Sequence, residues 1–291
     1  MVRRLSPDDS AVSSWVLLVV LIVAVAAALG AYYVYTTPRA PPAPIYAQQG
    51  DSIHIDYIGY FESTGLVFDT SDVSVARDNA SHPKAFAFSW RSTWTPLSFT
   101  VGDASVIKGF DDGVRGLTKG QTTTIFVPAE LGYGAADPSK VVVHTLLESV
   151  PVRSTMNESA FVAYYRTSPV SGSQVTDPVY GWPVLVESLN GVVTVTNSPA
   201  PGQTVHPYGA WTASVVSVDD TAYNGTGEIR VQNALDASRV DIVGGTAPNG
   251  QPFYLSAVDS AAGTYTLNFN RQVVGRTLVF QITVVELGRI T

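Results

Sequence analysis

Hydrophobic positions change their rhythm along this chain. From Trp15 to Tyr35 they are nearly continuous, WVLLVVLIVAVAAALGAYYVY, without a charge, and a run of that length predicts a helix able to cross about 30 Å of hydrocarbon. From Ser52 to Tyr60, Thr122 to Val127 and Thr277 to Val285, apolar and polar residues partly alternate, so each stretch predicts a strand with one buried face. In DASVIKGFDDGVRGL the spacing turns helical. Val106, Ile107, Phe110, Val114 and Leu117 precede or follow one another at helix periodicity and end in glycine, which predicts a short helix lying across a sheet.

The segment Ala135 to Gly263 follows another plan. STMNESAFVAYYRT predicts a short helix with Ser154 or Thr155 as cap and Glu158 near the first turn. Three units then begin at Gly181, Gly209 and Gly250, each an apolar strand, a polar Asp/Asn/Gly turn and a second alternating strand ending in Asn. They read as three related hairpins. Two stretches lack periodicity. Thr36 to Gln49 concentrates proline and small residues, as a semi-rigid spacer does. Asp69 to Leu97 is a long polar and aromatic excursion in which Trp90 and Trp94 either cap a pocket or pack the loop onto a sheet edge.

Composition narrows the function classes. The chain has 291 residues, 45% of them hydrophobic, enough for two folded units. It has no cysteine, which excludes disulfides, thiol chemistry and Cys-metal sites. A net charge of −7 leaves no basic patch for phosphate backbones, so nucleic acid is not an expected partner. His54, His82, His144 and His206 are widely separated, and DDTAYNG from Asp219 has Ala222 where a calcium loop needs a ligand; neither metal nor cofactor is expected. No phosphate-loop, dinucleotide or Gly-x-Ser-x-Gly motif occurs. For the apolar run, a cleaved signal peptide competes with a membrane anchor; signal cores span about 7–15 residues, so length favours the anchor. Trp15 at one end and Tyr32, Tyr33 and Tyr35 at the other fit interfacial belts. Arg3 and Arg4 against Arg39 orient the short tail to the cytoplasm and the body outward, where sequons at Asn79, Asn157 and Asn224 would be accessible to glycosylation.

Three ordered blocks resemble FKBP-type peptidyl-prolyl isomerases: GDSIHIDYIGYFESTGLVFDTS from Gly50, LSFTVGDASVIKGFDDGVRGLTKGQTTTIFVPAELGYG from Leu97, and TLNFNRQVVGRTLVFQITVVEL from Thr266. The third is similar to the SlyD-like branch, with Asn270-Arg271 where an Asn-His pair commonly stands. The resemblance implies an α+β fold, an FKBP-like antiparallel half-barrel wrapped on a short helix with a β-rich, chaperone-like domain inserted in the flap. The implied layout is a tail 1–14, a membrane helix 15–35, a linker 36–49, the isomerase fold in 50–135 and 263–291, and the insert 136–262. That insert is about twice the length usual in the branch.

It also implies a chemistry without nucleophile or acid–base pair. An X-Pro amide rotates over about 18–20 kcal/mol because resonance must be broken. A dry aromatic slot favouring the twisted amide is what lowers it. Positions matching the family motif are Tyr57, Phe68, Asp69, Ile107 and Tyr133 as catalytic groups, and Phe99, Val106, Phe110 and Phe280 as substrate-binding walls. Phe110 stands as the floor where a tryptophan is familiar, the Ile107 N–H faces the carbonyl before proline, and Asp69 with the Tyr133 hydroxyl supplies polarity at the rim. The expected partners are unfolded or partly folded proline-containing polypeptides. A non-catalytic binding or chaperone module on the same scaffold is the alternative.

Overall fold

The computed structural model describes residues 14–37 and 43–289. The chain divides after Pro44 into two compact units. In the first, the helix Ser14–Thr36 has 23 residues, about 34 Å at 1.5 Å per residue. Its span Trp15–Thr36 has mean hydropathy 2.6, long and apolar enough to cross a membrane. Arg3 and Arg4 of the expected tail and Arg39 of the expected spacer lie outside the described residues.

The second unit contains a five-stranded sheet. Its central strand, Ser52–Phe61, buries every second residue, as the alternation predicts. One edge pairs along its whole length with the closing strand Leu278–Gly288, which pairs in turn with Thr122–Val127. The other edge is shared, with Leu97–Thr100 opposite Ser52–Ile55 and Val67–Thr70 opposite Ile58–Tyr60. All pairings are antiparallel and the sheet has five strands. The helix Lys108–Val114 buries Phe110 and Val114 against it. Gly109 and Gly113 permit that approach, since a Cβ at either would come within 2.6 Å of Val127 or Ile125 side-chain atoms. The spacer ends earlier than expected. Ala47 is buried and exchanges backbone bonds with Leu117 and Gly116, because the helix exit leaves polar groups that only the incoming chain reaches.

The insert is three four-stranded antiparallel sheets. The hairpin Pro183–Leu189/Val192–Asn197 is flanked by Gln174–Thr176 and Arg153–Asn157. The hairpin Ala213–Asp219/Glu228–Asn233 is flanked by Thr204–Val205 and Leu147–Val150. The hairpin Pro252–Asp259/Thr264–Asn268 is flanked by Gly244–Thr246 and Val141–Thr145. One continuous stretch, 141–157, thus gives an edge strand to each sheet in turn. The repetition extends to single bonds: Trp182 Nε1 donates to Asn197 Oδ1 at 2.9 Å and Trp211 Nε1 to Asn233 Oδ1 at 2.7 Å. The amides of Asn197, Asn233 and Phe269 donate to the carbonyls of Val152, Leu146 and Lys140.

Two further details differ from expectation. Thr264–Asn268 pairs inside the third sheet of the insert, as the hairpin from Gly250 predicts, so the insert runs past its expected end at 262 and the five-stranded sheet resumes only at Leu278. The helix Glu158–Tyr165 is capped by Asn157, whose Oδ1 accepts from the Ala160 N–H at 2.8 Å, because Ser154 and Thr155 are still in a strand.

Glu148 ties the three repeats together. It stands on the second sheet's edge strand and accepts from Tyr180 Oη of the first repeat and Tyr265 Oη of the third, with His144 Nδ1 at 3.5 Å. Burial alone would raise its pKa; the donors from His144, Tyr180 and Tyr265 outweigh that and hold it below the ordinary 4.5. A carboxyl that titrates lower folded than unfolded stabilises above the unfolded value and stops doing so as pH falls through the folded one. Glu148→Gln should therefore lose about 1.5–3 kcal/mol at neutral pH, a gap to wild type that closes below pH 4.5 in urea unfolding followed over pH. A constant gap across that range would disprove the account.

Candidate active site

The sheet strand and the helix meet around a cleft of about 530 Å³. Tyr57 projects from the central strand, Phe68 and Asp69 from its neighbour, and Val106 and Ile107 from the turn before the helix. Phe110 comes from the helix, Tyr133 from the chain leaving the sheet, and Phe280 from the closing strand. Aromatic rings set its walls edge to face: Phe110 to Phe280 at 5.0 Å, Phe68 to Phe280 at 5.6 Å, and Tyr57 to Phe110 at 6.3 Å between centroids. Such contacts fix ring orientation as well as burying area. Gly59 has to be a glycine here, because a Cβ would stand 2.8 Å from Phe68 and 3.0 Å from Phe280.

Eight of the nine expected residues line this cleft; Phe99 does not. It is buried opposite Ile53, and its ring meets Phe110 at 5.9 Å from the core side, so it supports the floor without touching the cavity. Leu97, Ala104, Ser105 and Arg91 line it in addition. Arg91 matters most. Its guanidinium pairs with Asp69 and lies 3.2 Å from Tyr57 Oη, while Tyr57 Oη donates to Asp69 Oδ2 at 2.7 Å. Thr70 N–H donates to Asp69 Oδ1 at 2.9 Å. Burial, and then the Asp69 charge, push the Tyr57 hydroxyl far above its ordinary range, so it stays a neutral donor at any physiological pH. The only sequence signal for Arg91 was a lone cation between Trp90 and Trp94. Those tryptophans pack on each other and on Phe88, with Arg91 6.0 Å from the Trp94 ring; neither lines the cleft.

At the cleft's mouth the loop 101–105 is held by Asp111, which is buried and accepts from the Gly102 N–H and from Arg115. Ile107 is in extended conformation and its carbonyl starts the helix. Among the described residues nothing accepts from its own N–H. The site therefore offers an apolar floor, one open backbone donor and a hydroxyl–carboxylate–guanidinium group on the rim.

Residues 43–148 match the family model for FKBP-type peptidyl-prolyl cis-trans isomerase. That stretch, about a third of the chain, is similar to the family. A short-type peptidyl-prolyl cis-trans isomerase from Methanocaldococcus jannaschii is 34% identical over 90 residues, 31% of this chain and 52% of the relative. FK506-binding protein 2 of Kluyveromyces lactis is 28% identical over 127 residues, 44% of this chain and 77% of the relative. An FK506-binding protein of Streptomyces anulatus is 34% identical over 88 residues, 30% and 56% of the two chains. The match spans about half the length of the first of these. Among solved structures, the crystal structure of AtFKBP13 aligns at 26% identity over 34% of this chain and 70% of that one, with a TM-score of 0.23.

Proposed function

We propose that this protein is a membrane-anchored peptidyl-prolyl cis-trans isomerase of the SlyD-like kind, acting outside the cytoplasm on unfolded or partly folded proline-containing chains. The observation that carries the proposal is the convergence, in one open cleft, of the Tyr57–Asp69–Arg91 group, the Phe110 floor and the open Ile107 N–H. The proline ring sits on Phe110, the preceding carbonyl accepts from Ile107, and water is excluded by Phe68, Phe280 and Tyr133. A planar amide gains little there, whereas the twisted one, whose resonance is already lost, keeps its hydrogen bond and loses no favourable hydration. The apolar helix Ser14–Thr36 is long enough to anchor the chain in a bilayer, and the repeated sheets offer surface for the rest of the client chain.

Uncatalysed X-Pro isomerisation takes tens of seconds. Full-length protein in detergent or nanodiscs should accelerate exchange of a short Ala-Pro peptide, followed by NMR exchange spectroscopy or a protease-coupled assay. Unchanged exchange with a folded protein would leave the alternative, a non-catalytic binding module on this scaffold.

A further inference from the structure

A second cavity, about 360 Å³, adjoins the first and shares Phe68, Asp69, Arg91 and Tyr133 with it as a common wall. That volume is within the roughly 300–1,000 Å³ of ligand pockets. Its far wall belongs to the insert: Phe253 and Tyr254 from the third hairpin, and Phe269, Asn270 and Arg271 from the chain leaving it. Its near side is Phe86, on the long excursion, whose ring remains half exposed within the groove.

The groove is preformed. The Phe86 N–H donates to the Asp241 carbonyl and the Ala87 N–H to Gln272 Oε1, both at 2.8 Å, so the excursion is fixed to the insert and to the chain leaving it. Phe86 also rests against Gly244, where a Cβ would come within 2.7 Å of it. Arg271 is the charge at this mouth. Its guanidinium stands 5.1 Å over the Tyr133 ring and, among the described residues, forms no ion pair, whereas Arg91 is already neutralised by Asp69.

We infer that this groove is a second substrate subsite, taking an aromatic side chain and a neighbouring carboxylate from residues of the client outside the Xaa-Pro pair itself. The inference rests on the isomerase reading. The residue before proline is held by the first cleft through its carbonyl, so the adjoining cavity falls to residues further along the same chain, a few Cα steps of 3.8 Å away. Phe86, Phe253 and Phe269 suit an aromatic ring, and a guanidinium suits a carboxylate in fork geometry.

The test uses full-length protein in nanodiscs and a set of Ala-Pro peptides carrying a Phe-Glu pair scanned from two to four residues either side of the Xaa-Pro unit. Kd by NMR titration and exchange rate are both measured. At one position the Phe-Glu peptide should bind about tenfold tighter than its Ala-Ala parent. Changing Glu to Gln in that peptide should cost about threefold to fivefold. In Arg271→Gln that Glu-to-Gln ratio should fall to one, and in Phe86→Ala the Phe-to-Ala ratio should fall toward one. Equal binding at every scanned position, or an unchanged Glu-to-Gln ratio in Arg271→Gln, overturns the inference. Binding without exchange of any peptide, the parent included, would instead remove the isomerase reading and leave the subsite standing.

Discussion

Asp69→Leu should lower kcat/KM for an Xaa-Pro peptide by about 10- to 100-fold while leaving the protein folded, a loss matching the roughly 1.5–3 kcal/mol of a hydrogen bond to a charged partner. Three groups lean on this carboxylate: the Tyr57 hydroxyl, the Thr70 N–H and the Arg91 guanidinium. Without it, Tyr57 faces only Arg91, which donates and cannot accept, so the hydroxyl loses its fixed direction at the rim. Arg91, held otherwise by its stacking near Trp94, becomes free to swing across the opening. Because Asp69 is only partly buried, the melting temperature should move little. Asp69→Asn keeps an acceptor for Tyr57 but not the charge for Arg91, and should fall between the two in kcat/KM. Wild-type turnover in Asp69→Leu would mean that the rim group is packing and that the apolar slot alone catalyses.

Legibility in the sequence followed locality. The strand Ser52–Phe61 is readable because one face is buried along its full length, although Ile58 and Tyr60 on the other face leave the sequence alternation only partial. Phe110 and Val114 were readable as the helix face because nothing else competes for the sheet there. Phe99, expected from the family motif as a cleft wall, lies instead opposite Ile53 with its ring on Phe110, because a motif match fixes position along the chain but not on which side of Phe110 the ring falls. Arg91 is not legible for a different reason. Its path is set by contacts that no local pattern contains, the Ala87 N–H on Gln272 and the Phe86 N–H on Asp241, which bring a loop to residues far along the chain. The three hairpins were visible as a repeated strand–turn–strand plan. Their shared edge was not, since 141–157 is dealt out one piece to each sheet, and backbone pairing of that kind leaves little mark on side-chain periodicity. Thr264–Asn268 belongs at once to the hairpin from Gly250 and to the block matching the family's closing segment, and only the backbone pairing assigns it to the insert.

Asp241→Ala should be the most destabilising single change in the body, at about 3–5 kcal/mol, the loss expected when one partner of a buried ion pair is removed. Its side chain is 2% exposed and receives both Arg276 Nη1 at 2.8 Å and Nη2 at 2.7 Å, with Gln272 Nε2 at 3.1 Å. Arg276 lies in the approach to the closing strand, stacked 4.6 Å over Phe61 in the isomerase core, whereas Asp241 belongs to the insert and bonds Leu255 through its N–H. Its carbonyl also receives the Phe86 and Gln272 donors. One residue thus joins insert, excursion and sheet. Its φ of 65° adds to the effect, since alanine tolerates the left-handed region less well than aspartate does. Asp241→Asn keeps that conformation and one acceptor and should lose less. A double change, Asp241→Asn with Arg276→Met, removes the stranded charge and should recover part of what Asp241→Asn loses alone, as replacing whole buried pairs by apolar groups often does. Urea unfolding of the four proteins measures this, and equal midpoints for Asp241→Ala and wild type would dismiss the hub. Where the hub fails, Phe86 and Ala87 lose their anchor, so the same variant should also blur peptide preference: the joint that holds the insert in place is the one that builds the groove beside the proline cleft.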